Sequence, residues 1–111
     1  MISIFKRLKK NIINNIYTLK DITFDIEDYS EMNLIDDYEY NKLKLLISEQ
    51  NNITIVNSYN INNYLLLKEL ISKKSYSLKK IYRLVIDYRI DNKISRNDFR
   101  CLLKEIEKQY I

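Results

Sequence analysis

SLKKIYRLVIDYRIDNKISRNDFRCLLKEIEKQY, running from Ser77 to Tyr110, holds two helical patterns separated by a short polar connection. In the first, Leu78, Ile81, Tyr82, Val85 and Tyr88 recur at spacings of three and four, which places one apolar stripe along a helix. In the second, Phe99, Leu102, Leu103, Ile106 and Tyr110 repeat the pattern. Ser95 stands at the N-cap of the second helix, where its hydroxyl accepts from a free backbone N–H of the first turn. Asp98 sits at the third helical position, placed to reach back to the Ser95 N–H as in a capping box. Ile94 and Phe99 occupy the flanking positions of a hydrophobic staple. The stretch predicts an antiparallel helical hairpin closing the fold.

Outward from it, Asn60 is the cap candidate of a preceding helix reaching Lys73, with Tyr59 and Tyr64 at staple positions. Ile61, Tyr64, Leu65, Leu67, Leu70 and Ile71 make that helix apolar on two sides, which predicts the most buried helix of the protein. A further helix is expected over Asp36 to Glu49, with Tyr40, Leu43, Leu46 and Ile47 inward. Tyr29, Ser30 and Leu34 offer a staple and cap for a short helix before it. Residues 2–19 read as one basic amphipathic helix, with Phe5, Leu8, Ile12, Ile16 and Leu19 on one face and Lys6, Arg7, Lys9 and Lys10 around the rest. Such a helix suits a core position, an anionic lipid surface, or contact with nucleic acid or a partner.

Two stretches look strand-like. Ile22, Phe24 and Ile26 alternate with Thr23 and Asp25, and Ile53–Thr54–Ile55–Val56 is rich in β-branched residues after a Gln50–Asn51–Asn52 turn. They are the candidates for a two-stranded β element over 22–26 and 53–56. The expected fold class is therefore mainly α: a compact bundle of about five helices, one domain over residues 1–111, with no evident linker or internal repeat.

Composition narrows the chemistry. The chain has no Gly, Pro, His or Trp and leans on Ile, Asn, Lys and Tyr, the residues an A+T-rich genome favours. Without His there is no imidazole base and no His-ligated metal, and without Gly there is no glycine-rich phosphate loop. The single Cys101 excludes an internal disulfide, and its place beside Leu102 and Leu103 predicts a buried thiol. Carboxylates gather at Asp36, Asp37 and Glu39, but a helix's first turn attracts acids through the macrodipole alone. Nothing converges on them, so the reading is not an enzyme. No apolar run is long enough to span a bilayer, and a cytoplasmic protein without cofactors is expected.

The connection Asp87–Asp98 is similar in spacing to an EF-hand loop, with Asp87, Asp91, Ser95 and Asp98 at oxygen-ligand positions and Ile94 at the eighth. It departs from that pattern at three points. Arg89 puts a cation where an oxygen belongs, Asn92 replaces the glycine of the bend, and Asp98 is shorter than the usual bidentate glutamate. No metal is expected there. The run Asp91–Asn92–Lys93–Ile94–Ser95–Arg96–Asn97–Asp98–Phe99, with its flanking helices over Lys79 to Ile106, resembles the helix, Lys-Ile-Ser turn, acidic-Phe, helix segment of small immunity proteins of the colicin D type and of bacteriocin immunity proteins. That resemblance implies a small cytosolic protein that binds one toxin and blocks it, without catalytic residues.

Three recognition surfaces follow. Asp21 to Glu39 carries eight acidic residues and no basic one, and Asp25, Glu27, Asp28, Asp36, Asp37 and Glu39 are the candidate protein-binding residues for a cationic toxin. Lys73, Lys74, Lys79, Lys80 and Arg83, interleaved with Tyr76 and Tyr82, are the candidates for nucleic-acid binding, where cations meet phosphates and rings stack on bases. An apolar groove used by a viral host-interaction factor is the third. The leading expectation is a non-catalytic immunity or inhibitor protein acting by surface complementarity.

Overall fold

The computed structural model describes residues 3–14, 19–50 and 61–111. Among them are six helices: α1 (Ile4–Ile13), α2 (Leu19–Glu31), α3 (Asp37–Glu49), α4 (Ile61–Ser72), α5 (Leu78–Ile90) and α6 (Arg96–Tyr110). The chain divides into two compact units, Met1–Asn57 and Ser58–Ile111.

In the first unit, α1 and α2 both pack on α3. Ser3 caps α1, its Oγ accepting from Lys6 N at 3.2 Å. Leu8 and Ile12, one turn apart, are the side chains α1 buries. Residues 22–26, expected as a strand, are the interior of α2. The alternation of Ile22, Phe24 and Ile26 was a coincidence of two periods. Ile22, Ile26 and Tyr29 also lie on one helical face, and all three are buried, whereas Phe24 is left exposed. The partner stretch 53–56 lies outside the described residues. The single basic helix over 2–19 is likewise replaced by α1 ending at Ile13 and α2 beginning at Leu19.

In the second unit, α5 and α6 form the expected hairpin and α4 packs on both. The hydroxyl of Tyr110, at the end of α6, donates to Tyr76 O just before α5 at 2.9 Å, so the two helices run antiparallel. Ser77 caps α5 and Ser95 caps α6, where Ser95 Oγ accepts from Asp98 N at 3.0 Å. Ile94 and Phe99 are both fully buried, as a staple requires. The most buried helix among the described residues is α5, not α4. On α4 only Leu67 and Ile71 are buried, while Ile61 and Leu65 are 61% and 52% exposed.

The two units are built to one plan. Residues 59 positions apart correspond throughout, as Asn33 does to Asn92. At that offset α2 and α5 start and end in register, α3 and α6 start in register, and α1 and α4 end in register. Core positions match in the same way: Leu8 with Leu67, Ile12 with Ile71, Ile22 with Ile81, Ile26 with Val85, Ile35 with Ile94, and Leu43 with Leu102, all buried. The sequence follows, since Tyr17–Thr18–Leu19–Lys20–Asp21–Ile22 aligns with Tyr76–Ser77–Leu78–Lys79–Lys80–Ile81, and Asp28–Tyr29 aligns with Asp87–Tyr88. The chain is a tandem repeat of a three-helix unit.

The turn inside each repeat is the same object. Asn33 and Asn92 have φ of 59° and 60°, the left-handed region that ends a helix. Leu34 N donates to Tyr29 O at 2.9 Å and Asn33 N to Ser30 O at 3.1 Å. Lys93 N donates to Tyr88 O at 2.9 Å and Asn92 N to Arg89 O at 3.0 Å. Both are Schellman closures made without glycine, Asn being the residue after glycine that best tolerates this conformation. Three residues later the chain is capped again, by Asp36 in one repeat and Ser95 in the other. At Asp36 the capping box is complete: Glu39 N donates to Asp36 Oδ1 at 2.7 Å and Asp36 N to Glu39 Oε1 at 3.1 Å. Asp36→Ala is therefore expected to cost about 1 kcal/mol of stability, read as a lower urea midpoint at unchanged slope.

Candidate acidic cleft

Of the six carboxylates proposed for partner binding, the structure separates four kinds. Asp25 is buried on α2 and does not face solvent. Asp36 and Glu39 hold each other's backbone N–H at the start of α3. Glu27 and Asp37 line one open cleft of about 370 Å³ together with Ser30, Glu31 and Tyr40. Asp28 is half-buried and outside that lining. Glu31 belongs to the same acidic block but was not singled out by sequence. Its signal is the spacing Glu27–Glu31, one helical turn, which stacks two carboxylates on one face of α2. The hairpin turn then folds the first turn of α3 back beside them and brings Asp37 and Tyr40 to the same wall.

The basic set lies on the second unit. Lys73 Nζ is 2.6 Å from Glu69 Oε1, an i,i+4 pair on the exposed face of α4, and the hydrogen bond from Lys73 holds the Glu69 carboxyl below the usual carboxylate range. Lys74 lies over the Tyr110 ring at 5.9 Å and Lys80 over the Tyr76 ring at 4.5 Å. Tyr76, Lys80, Arg83, Leu84 and Asp87 line a second, smaller cleft of about 200 Å³. Lys79 is exposed. Tyr76 and Tyr82 are both half-buried, and Tyr76 is the ring that lines this cleft beside Lys80.

Arg89, read from sequence as a cation misplaced in a calcium-like loop, is fully buried. Its Nη1 donates to Ile94 O at 3.0 Å and to Asn92 Oδ1 at 3.2 Å. The guanidinium thus takes up the inner acceptors of the turn, and the segment works as a hairpin closure. No group of three or more acidic or cysteine side chains among the described residues is placed to hold a metal ion. Cys101, expected in the core, is exposed: α6 turns Phe99, Leu102 and Ile106 inward, and position 101 falls on the opposite face. No described helix is long and apolar enough to cross a membrane.

Comparison with protein-family models, characterised proteins and solved structures found no match to this chain.

Because Arg89 makes a buried hydrogen bond to the Ile94 carbonyl, Arg89→Ala should cost about 3 kcal/mol in equilibrium unfolding. Arg100→Ala, on the exposed side of α6, should change stability by less than about 0.5 kcal/mol.

Proposed function

We propose that this chain is a non-catalytic recognition protein that docks a cationic protein partner, in the manner of a toxin-neutralising immunity or inhibitor protein of the cytoplasm. The observation that supports this reading is the cleft of the first unit. Glu27, Glu31 and Asp37 converge there around an open space with Tyr40 as an amphipathic wall. The capping box of Asp36 and Glu39 fixes the start of α3, the turn that carries Asp37 to the cleft. Charge of this kind accelerates encounter with a basic surface and sets the orientation of docking. The resemblance of the Asp91–Phe99 hairpin to colicin-type immunity proteins points the same way.

A second reading rests on charge division between the repeats. Met1–Asn57 carries seven Lys and Arg against nine Asp and Glu, whereas Ser58–Ile111 carries twelve against six. Lys79, Lys80 and Arg83 with Tyr76 are the elements of a nucleic-acid contact on the basic unit.

The first reading predicts that the chain binds the toxin encoded beside its own gene. The double variant Glu27→Lys, Asp37→Lys should slow that association at least about tenfold at low salt and leave the helical circular dichroism unchanged. Absence of binding by the natural chain overturns the reading. The second predicts that labelled DNA or RNA binds at about 50 mM salt and weakens at least about tenfold by 200 mM. No binding at low salt removes it.

A further inference from the structure

The repeat supplies a comparison that neither unit offers alone: the cleft of the first unit has a filled counterpart in the second. At the 59-residue offset, Glu27, Ser30, Glu31, Asp37 and Tyr40 correspond to Ile86, Arg89, Ile90, Arg96 and Phe99. In the second unit Ile86, Ile90 and Phe99 are buried, and Arg89 projects from the position of Ser30. Its guanidinium donates to the turn through Asn92 Oδ1 and Ile94 O. The first unit keeps the turn. Asn33 stands at the position of Asn92 with the same φ and the same closing hydrogen bonds, and Ile35 stands at the position of Ile94. It lacks the donor, because the Ser30 side chain ends one bond beyond Cβ and cannot span the distance a guanidinium covers. Three carboxylates line the space instead.

We infer that the acidic cleft of the first unit is a receptor for an arginine side chain presented by a protein partner, which enters where the second repeat carries its own Arg89. This rests on the protein-binding reading and specifies its chemistry. The turn at Asn33 has the backbone form of the one that already holds a guanidinium in the other repeat. Glu27, Glu31 and Asp37 add the charge that a mobile, externally supplied cation requires and a built-in one does not. A planar guanidinium can donate to the turn and to a carboxylate at once, and the Tyr40 ring offers a face for it to stack on. A lysine ammonium makes a point contact and cannot bridge the same acceptors, so the cleft discriminates between the two cations.

The test uses the full chain, labelled with nitrogen-15, titrated with the blocked peptide Gly-Gly-Arg-Gly-Gly and its lysine counterpart up to about 20 mM. The arginine peptide should move the amides of residues 27–31 and 33–40, with an apparent affinity at least about fivefold above that of the lysine peptide. Ser30→Arg, which gives the first repeat the side chain of the second, should abolish the response while leaving amides outside the first unit in place. If that variant disturbs the fold, the isosteric pair Glu31→Gln, Asp37→Asn should weaken the arginine response at least about fivefold. Equal response to both peptides, no response to either, or shifts confined to other residues would overturn the inference. Overturned in this way, it leaves the broader reading standing if Glu27→Lys, Asp37→Lys still slows association with the toxin.

Discussion

Each repeat hangs on a hairpin turn that places an asparagine in the left-handed region, in a chain with no glycine to put there. A non-glycine residue in that conformation costs roughly 1–2 kcal/mol, less for asparagine than for most. What offsets the cost is local and repeated. The Tyr29 and Tyr88 carbonyls each receive an N–H from five residues on, and Ile35 and Ile94 drop into the core immediately after the bend. Asp36 or Ser95 then caps the next helix. Reversal, anchoring and restart occupy about eight residues, which leaves little freedom in how α2 meets α3 or α5 meets α6. The packing of Leu43 and Leu102 against the preceding helix follows from that geometry.

Much of this was legible in the residues, but not all, and the misses share a cause. Ser95, Asp98, Ile94 and Phe99 announced their turn because capping and staple positions have fixed spacings and distinct chemistry. The equivalent turn at Asn33 hid behind Asp36 and Glu39, where acids at a helix start read as a charged surface. Ile22, Phe24 and Ile26 satisfied two periodicities at once, and only burial of Tyr29 one turn on decides for the helix. The duplication escaped notice because its matches are spread thinly, at core positions three and four residues apart, while the surfaces between them have diverged. Lys6 and Arg7 of α1, for instance, correspond to Leu65 and Leu66 of α4. The cleft was half visible. Its carboxylates were found as a block, yet a linear count cannot tell Glu27, which lines the cleft, from Asp25, which is buried one turn away from Ile22.

The two units have diverged on a shared frame. The same position carries Ser30 in one repeat and Arg89 in the other, and the same helix face is acidic in the first and aliphatic in the second. One unit buries the cation of Arg89 at its turn; the other carries Glu27, Glu31 and Asp37 around an open cleft. The second unit carries twelve Lys and Arg against six Asp and Glu, the first seven against nine. Net charge of opposite sign thus arises on a single fold, while the paired positions Ile22 and Ile81, Ile26 and Val85, and Leu43 and Leu102 stay buried in both units.

The most direct check of this account is amide hydrogen exchange on the intact chain, resolved residue by residue. Two copies of one unit predict slow exchange in register at the 59-residue offset: Ile26 with Val85, Leu43 with Leu102, and the turn amides Leu34 with Lys93. Protection confined to one half, or protected amides out of register between the halves, would contradict it.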